Sequence, residues 1–213
     1  MPAPPLLVIT DRTQAASDLV DVVAQAVAGG CRWISLREKD LPEREQIALF
    51  ARLRAVTAPA GARLTLHGQA ALARAAGADG VHLPAGSDAA TARTLLGPDA
   101  LVGLSTHTLA EAAAADPGVV DYVSLSPVFA TASKPGYGPA LGIAGLAAFA
   151  AACRAPVIAL GGIGAEQMAP CRAAGAAGIA VMGAVMRARD PAREIVHLLT
   201  AVDHAGLHGA GEG

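Results

Sequence analysis

Val157-Ile158-Ala159-Leu160-Gly161-Gly162-Ile163-Gly164 and Gly178-Ile179-Ala180-Val181-Met182-Gly183-Ala184 are the two stretches on which the fold turns. Each is a short apolar run that breaks into glycine where a helical pattern begins. A strand buried on both faces has that look, as in a parallel sheet covered by helices. Glycine lets the backbone approach a ligand closely, and a helix that starts there adds its positive end. One such turn would read as a tight turn and no more. Two in succession, near the end of a repeated strand–helix chain, point to the phosphate site of a (β/α)₈ barrel.

Working back from this pair, the same unit recurs along the chain. Strands are predicted at 6–10, 33–37, 63–66, 80–83, 101–105 and 122–126, ahead of 157–160 and 178–181. Between them lie helical patterns at 18–28, 41–56 and 69–76, then one to 96 with Ser87 or Asp88 as its cap, then 109–115, 143–153 and 167–174, with a last helix to about 202. In the first of these, Leu19, Val22, Val23, Ala26 and Val27 fall at helical spacing and Gly29-Gly30 ends it. Helices between successive strands force a parallel sheet. Eight even units favour a single closed (β/α)₈ barrel over residues 1–203, with a doubly wound open sheet as the rival. The Gly- and Ala-rich end, 204–213, reads as a flexible tail. The longest irregular segment, 127–142, has the length of a functional loop.

Composition is consistent with this architecture. Hydrophobic residues make up 53% of the 213 and aromatics only 3%, so the core is built from Ala, Val, Leu and Ile. A formal net charge of -2 offers no electrostatic case for nucleic acid or an acidic membrane. No apolar run is long enough to span a bilayer, and the start lacks the features of a signal peptide. Cys31, Cys153 and Cys171 form no C-x-x-C pattern and suit a reducing cytoplasm.

In a closed barrel the residues just past each strand's C-terminal end share one mouth. That rule collects Asp11 and Arg12, then Arg37, Glu38 and Lys39, then His67 and His82. It adds Ser105, Thr106 and His107, then Thr131, Ser133 and Lys134, and finally Gly161-Gly162 and Met182-Gly183. The mouth is thus cationic and rich in hydroxyls in a slightly acidic protein. Arg offers a planar fork and Lys a compact charge for phosphate. Arg37-Glu38-Lys39 also reads as a solvated charge cluster, Lys134 as a solvated loop lysine, and His82, inside a strand, as a satisfied internal histidine.

At this point the residues resemble a known family, the thiamin phosphate synthases. Leu36-Arg37-Glu38-Lys39, Gly103-Leu104-Ser105-Thr106-His107, Ser126-Pro127-Val128-Phe129-Ala130-Thr131-Ala132-Ser133-Lys134, Leu160-Gly161-Gly162-Ile163 and Gly178-Ile179-Ala180-Val181-Met182 occur here in the family's order. The resemblance runs from Thr10-Asp11-Arg12 to Met182 and implies a (β/α)₈ barrel. It implies that Arg37 and Lys39 serve a pyrimidine diphosphate and that Ser105 lies beside the reacting pyrimidine. Thr131, Ser133 and Lys134 would contact thiazole phosphate and pyrophosphate. The backbone at Gly161, Gly162, Met182 and Gly183 would hold the thiazole phosphate. The implied reaction joins hydroxymethylpyrimidine diphosphate to thiazole phosphate, with pyrophosphate leaving and Mg²⁺ assisting.

The chain also departs from that pattern. Where the synthases carry Asn-Asp after strand three it has His67-Gly68, and where they carry Gly-Gln-x-Asp it has Pro84-Ala85-Gly86-Ser87. Both metal carboxylates are absent from those places, although Asp88 is one residue away. Ser35 replaces the pyrimidine-binding Gln, and His67 is a poor Mg²⁺ ligand. The sister branch TenI lacks the same carboxylates and resembles Leu83-Pro84-Ala85-Gly86-Ser87. Its reaction tautomerises a thiazole carboxylate phosphate by metal-free proton transfer. The His that TenI places before Val-Phe is Pro127 here, which leaves His67 or His107 as candidate acid/base. The expectation is therefore a TenI-like tautomerase with no cofactor and no metal ligands, acting on a small phosphorylated thiazole. The alternatives are a synthase, with Mg²⁺, and a non-catalytic thiamin phosphate binder. Oligomeric state is not legible in the sequence, with a homodimer left open.

Overall fold

The computed structural model describes residues 1–131 and 140–207, the last five of these by backbone alone. Eight parallel strands close into a barrel: β1 (Leu6–Ile9), β2 (Trp33–Leu36), β3 (Arg63–His67), β4 (Gly80–Leu83), β5 (Leu101–Thr106), β6 (Tyr122–Leu125), β7 (Val157–Leu160) and β8 (Gly178–Val181). Leu6, Leu7 and Val8 pair with Ile179, Ala180 and Val181, which closes β1 onto β8 and removes the open-sheet rival.

Helices follow the strands in turn: α1 (Leu19–Ala28), α2 (Glu43–Thr57), α3 (Ala70–Ala75), α4 (Ala89–Leu96), α5 (Leu109–Ala114), α6 (Gly142–Ala152), α7 (Ala165–Ala173), α8 (Gly183–Met186) and α9 (Pro191–Leu207). Two features differ from the expectation. A short extra helix, α8, follows β8 directly, and the last helix runs past 202 to Leu207, into the stretch expected as tail. The rest of that tail, 208–213, lies outside the described residues.

The period-two pattern of the strands sorts two cores. Leu6, Val8, Ile34, Leu36, Leu64, Leu66, Val81, Val102, Val123, Ala159, Ile179 and Val181 face the helices and form the larger cluster with their apolar stripes. The alternate residues Leu7, Ile9, Trp33, Leu101, Tyr122, Ile158 and Ala180 fill the barrel interior. Trp33 and Tyr122 meet there edge to face, with ring centroids 4.9 Å apart. Gly103 makes this possible, because a Cβ at that position would collide with the Tyr122 ring.

Two ion pairs tie strands to helices at the N-terminal end of the barrel. At the N-terminal end, Asp79 accepts from Leu64 N–H (2.6 Å) and from Arg54 Nη1 (2.7 Å). Asp121 does the same with Val102 N–H (2.7 Å) and Arg93 Nη2 (2.6 Å). Each aspartate ties a strand to a helix with both charges paired. Among the described residues, Arg37, Lys39 and Arg187 at the C-terminal end form no ion pair.

Candidate active site at the barrel mouth

A cavity of about 490 Å³ opens at the C-terminal end of the strands. Arg37, Lys39, His67, Ser105, His107, Thr131, Gly161, Gly162, Met182 and Gly183 all line it, so these expected residues do converge. Ser133 and Lys134 fall within 132–139, outside the described residues. No Asp or Glu lines the cavity among the described residues.

The Arg37-Glu38-Lys39 run splits by direction. Glu38 is buried and turned away from the cavity, under the loop that succeeds β1. It accepts from Thr10 Oγ1 (2.8 Å) and from Arg12 N–H at both oxygens (3.0 and 3.1 Å). Burial raises its pKa, and these donors hold it back. Thr10 Oγ1 also accepts from Arg37 N–H (2.9 Å). Glu38 thus braces the strand end from which Arg37 and Lys39 reach the mouth. Partial burial, then the neighbouring Arg37 charge, lowers the Lys39 pKa.

His82 is internal and satisfied, as its place within a strand implies, and it also forms part of the cavity wall. Its Nδ1 is 3.1 Å from Tyr122 Oη, and its Nε2 is 3.0 Å from Ser105 Oγ and 3.1 Å from Ser124 Oγ. The His67 ring lies beside it, centroids 5.0 Å apart. Complete burial, then the Lys39 charge, pushes the His82 pKa down to about 4, so the ring is neutral at pH 7. It holds the Ser105 and Ser124 hydroxyls in place and is no cationic ligand.

This burial has an effect on stability. The unfolded chain takes up the His82 proton near pH 6.5 and the folded chain only near about 4, so acid favours unfolding between those values. Stability is expected to fall by about 3 kcal/mol from pH 7 to pH 4 on this account alone. Urea midpoints of native and His82→Gln chains across that range check it. An equal acid sensitivity in both would assign the effect elsewhere.

The glycine turn after β7 serves packing first. Gly161 and Gly162 have φ of 102° and 64°, and Cβ atoms there would strike Pro127 Cα (2.9 Å) and the Ala130 carbonyl oxygen respectively. Val128 N–H and Phe129 N–H donate to Leu160 O (2.9 Å) and Gly161 O (3.0 Å), which seats the segment leading to Thr131. Gly164 N–H is already given to Gln167 Oε1 (3.0 Å), so it is not on offer to an anion. The first N–H groups of α8, like those of any helix start, have no intrahelical acceptor.

The residues present do not fit a protein-held Mg²⁺ at the expected places. His67, Pro84 and Ala85 line the cavity where the resemblance expects oxygen ligands. Asp88, the nearest carboxylate in sequence, is an exposed N-cap. It accepts from Thr91 N–H (3.0 Å) and Thr91 Oγ1 (2.6 Å), which hold its pKa down, and it does not line the cavity. Among the described residues no three His, Cys, Asp or Glu side chains gather to hold a metal.

Three cavity residues with polar side chains lie outside the set that the strand-end rule collects. Ser124 and Ser126 belong to a strand and strand end whose alternation is legible, so period-two counting from Tyr122 finds them. Arg187 closes the short helix α8, which the sequence pattern does not predict, and no local signal marks it.

Known proteins resemble the chain along nearly its whole length. A sequence model of the family described as thiamine monophosphate synthase matches residues 6–185. A thiamine-phosphate synthase of Anaeromyxobacter dehalogenans is 46% identical over 177 residues, 80% of this chain and 78% of its own. One from Moorella thermoacetica is 38% identical over 202 residues, 93% and 95% of the two chains. Among solved structures, a thiamine phosphate pyrophosphorylase of Pyrococcus furiosus superposes with a TM-score of 0.82 at 31% identity, covering 94% and 96%. No helix among the described residues is long and apolar enough to cross a membrane.

Proposed function

We infer a function from one premise: this chain belongs to the thiamine monophosphate synthase family. It is an enzyme of thiamin biosynthesis that joins hydroxymethylpyrimidine diphosphate to a thiazole phosphate and releases pyrophosphate. The observation that carries this reading is a cavity lined by Arg37 and Lys39 beyond β2 and by the Gly162 and Gly183 turns beyond β7 and β8, with no carboxylate among its described lining. Such a wall suits two phosphorylated partners bound side by side. The named relatives are synthases, which favours this reading over the TenI-like tautomerase expected from the missing carboxylates.

The chain's own groups suffice for a sketch of the chemistry. Arg37 and Lys39 bind the diphosphate and offset the negative charge that grows on it as the carbon–oxygen bond breaks. Ser105, held by neutral His82, orients the pyrimidine. The glycine turns place the thiazole phosphate so that its nitrogen faces the methylene carbon that loses pyrophosphate. Among the described residues no three His, Cys, Asp or Glu side chains gather to hold a metal for these steps.

A second reading has its own observation: His67 and His107 line the mouth, and an imidazole can carry a proton between two positions of a substrate. The test is thiamin phosphate formation from the two substrates, run with Mg²⁺ and with chelator. Product in either condition supports the synthase. No product in both, with thiazole phosphate still bound, moves the chain to the tautomerase.

A further inference from the structure

We propose that Arg187, seated by Gly183 and aimed by Gln14, is an anion-binding residue that makes this site select a phosphorylated thiazole end. The proposal rests on the reading of the cavity given above and adds a residue which that reading does not contain.

Three observations carry it. Arg187 lines the same cavity as Arg37 and Lys39 but follows β8, with Met182, Gly183 and Ala184, rather than β2. At the opposite end of the barrel Arg54 and Arg93 are paired with aspartates, whereas Arg187 forms no ion pair among the described residues. Its Nη1 donates to the Gln14 side-chain oxygen, a neutral partner that positions the fork without cancelling its charge.

The Gln14 amide is itself oriented. Its Nε2 donates to Asp11 Oδ2 (2.5 Å), so its oxygen is the end presented to Arg187. Asp11 also accepts from Thr13 Oγ1 (2.6 Å) and Thr13 N–H (3.1 Å), which keeps the carboxylate turned toward its own loop. A chain from Asp11 through Gln14 to Arg187 therefore spans the seam where β1 meets β8. A guanidinium carries five N–H donors, and this contact leaves others for an anion.

Gly183 explains the rest. Its φ lies outside the left-handed range, so the backbone does not demand glycine. A Cβ there would collide with Nη1, Nη2 and Cζ of Arg187, the last at 2.6 Å. The missing side chain is the space in which the guanidinium lies, across the turn that faces the cavity. The sequence suggests that Gly183 admits a phosphate to the backbone; the structure adds that it admits the arginine four residues on. A phosphate at this turn meets a planar fork as well as backbone N–H groups.

Calorimetry on the full chain, with thiamin phosphate and thiamin as paired probes, tests the proposal. Arg187→Ala is expected to weaken thiamin phosphate binding about 10- to 100-fold and to leave thiamin unchanged. Arg187→Lys should recover part of the loss, since a point charge replaces a fork. Gly183→Ala should reproduce the loss, because its methyl displaces only the far end of a flexible side chain. The double variant should lose nothing further, which separates displacement of Arg187 from obstruction of the backbone. A loss shared equally by thiamin, or no loss at all, overturns the proposal. So does a double variant whose losses simply add. Inorganic phosphate, titrated alone into native and Arg187→Ala chains, separates the two levels of failure. If native protein does not prefer thiamin phosphate to thiamin but phosphate still binds more weakly to the variant, the functional reading fails and Arg187 keeps its role. Equal phosphate binding by both chains removes that role.

Discussion

Lys39→Ala is expected to lower kcat/KM for thiamin phosphate formation about a hundredfold, as loss of one preorganised group at a developing charge does elsewhere. The reason is position. Lys39 and Arg37 are the cavity cations that follow β2, and Glu38 between them is committed to Thr10 and Arg12. Among the described residues no carboxylate or metal site is there to take over the charge on a departing pyrophosphate. Because the interaction strengthens as the leaving group gains charge, the fall should lie mainly in kcat. Thiazole tautomerisation by the same variant should change less than about threefold, since that reaction sheds no diphosphate. Steady-state assays of both activities check the point. A synthase rate within about threefold of native would remove Lys39 from the reaction.

The second large effect is on the fold. Gly162→Ala is expected to cost about 2 to 4 kcal/mol of stability, from backbone strain at φ 64° together with a clash against the Ala130 carbonyl and Phe129 (Cβ at 2.9 Å). Gly77 supplies the control. It has the same φ, yet nothing lies within 4 Å of a Cβ placed there. Gly77→Ala should therefore show the strain alone, about 1 kcal/mol. Urea unfolding of the two variants separates strain from collision. Equal losses would mean that the β6 and β7 loops can part freely, contrary to the hydrogen bonds that join them. Gly162→Ala should also weaken thiazole phosphate binding, because the segment it displaces leads to Thr131.

Much of this site is legible in the order of residues alone. Strand ends at Leu36, His67, Thr106 and Leu160 fall within one residue of where apolar runs and glycine punctuation put them, and barrel closure then sends the residues beyond each strand to one mouth. Arg37, Lys39, His67, Ser105, His107 and the glycine pair are found in this way. The same local pattern argues against a protein-held metal at the usual places, since it shows which residues stand where carboxylates would.

Other features need the folded chain. Nothing in the run Arg37-Glu38-Lys39 says that the middle residue turns under the β1 loop, because that depends on the donors waiting there. Asp88 reads from sequence both as a candidate helix cap and as the nearest carboxylate to the expected metal place, and its bonds to Thr91 make it the cap. The function of Gly183 as a seat for a guanidinium also depends on the direction of a side chain. Local periodicity is written within a few residues and so marks elements and faces. The contact of Arg187 with Gln14 joins residues 173 apart, and only closure of β1 onto β8 brings them together.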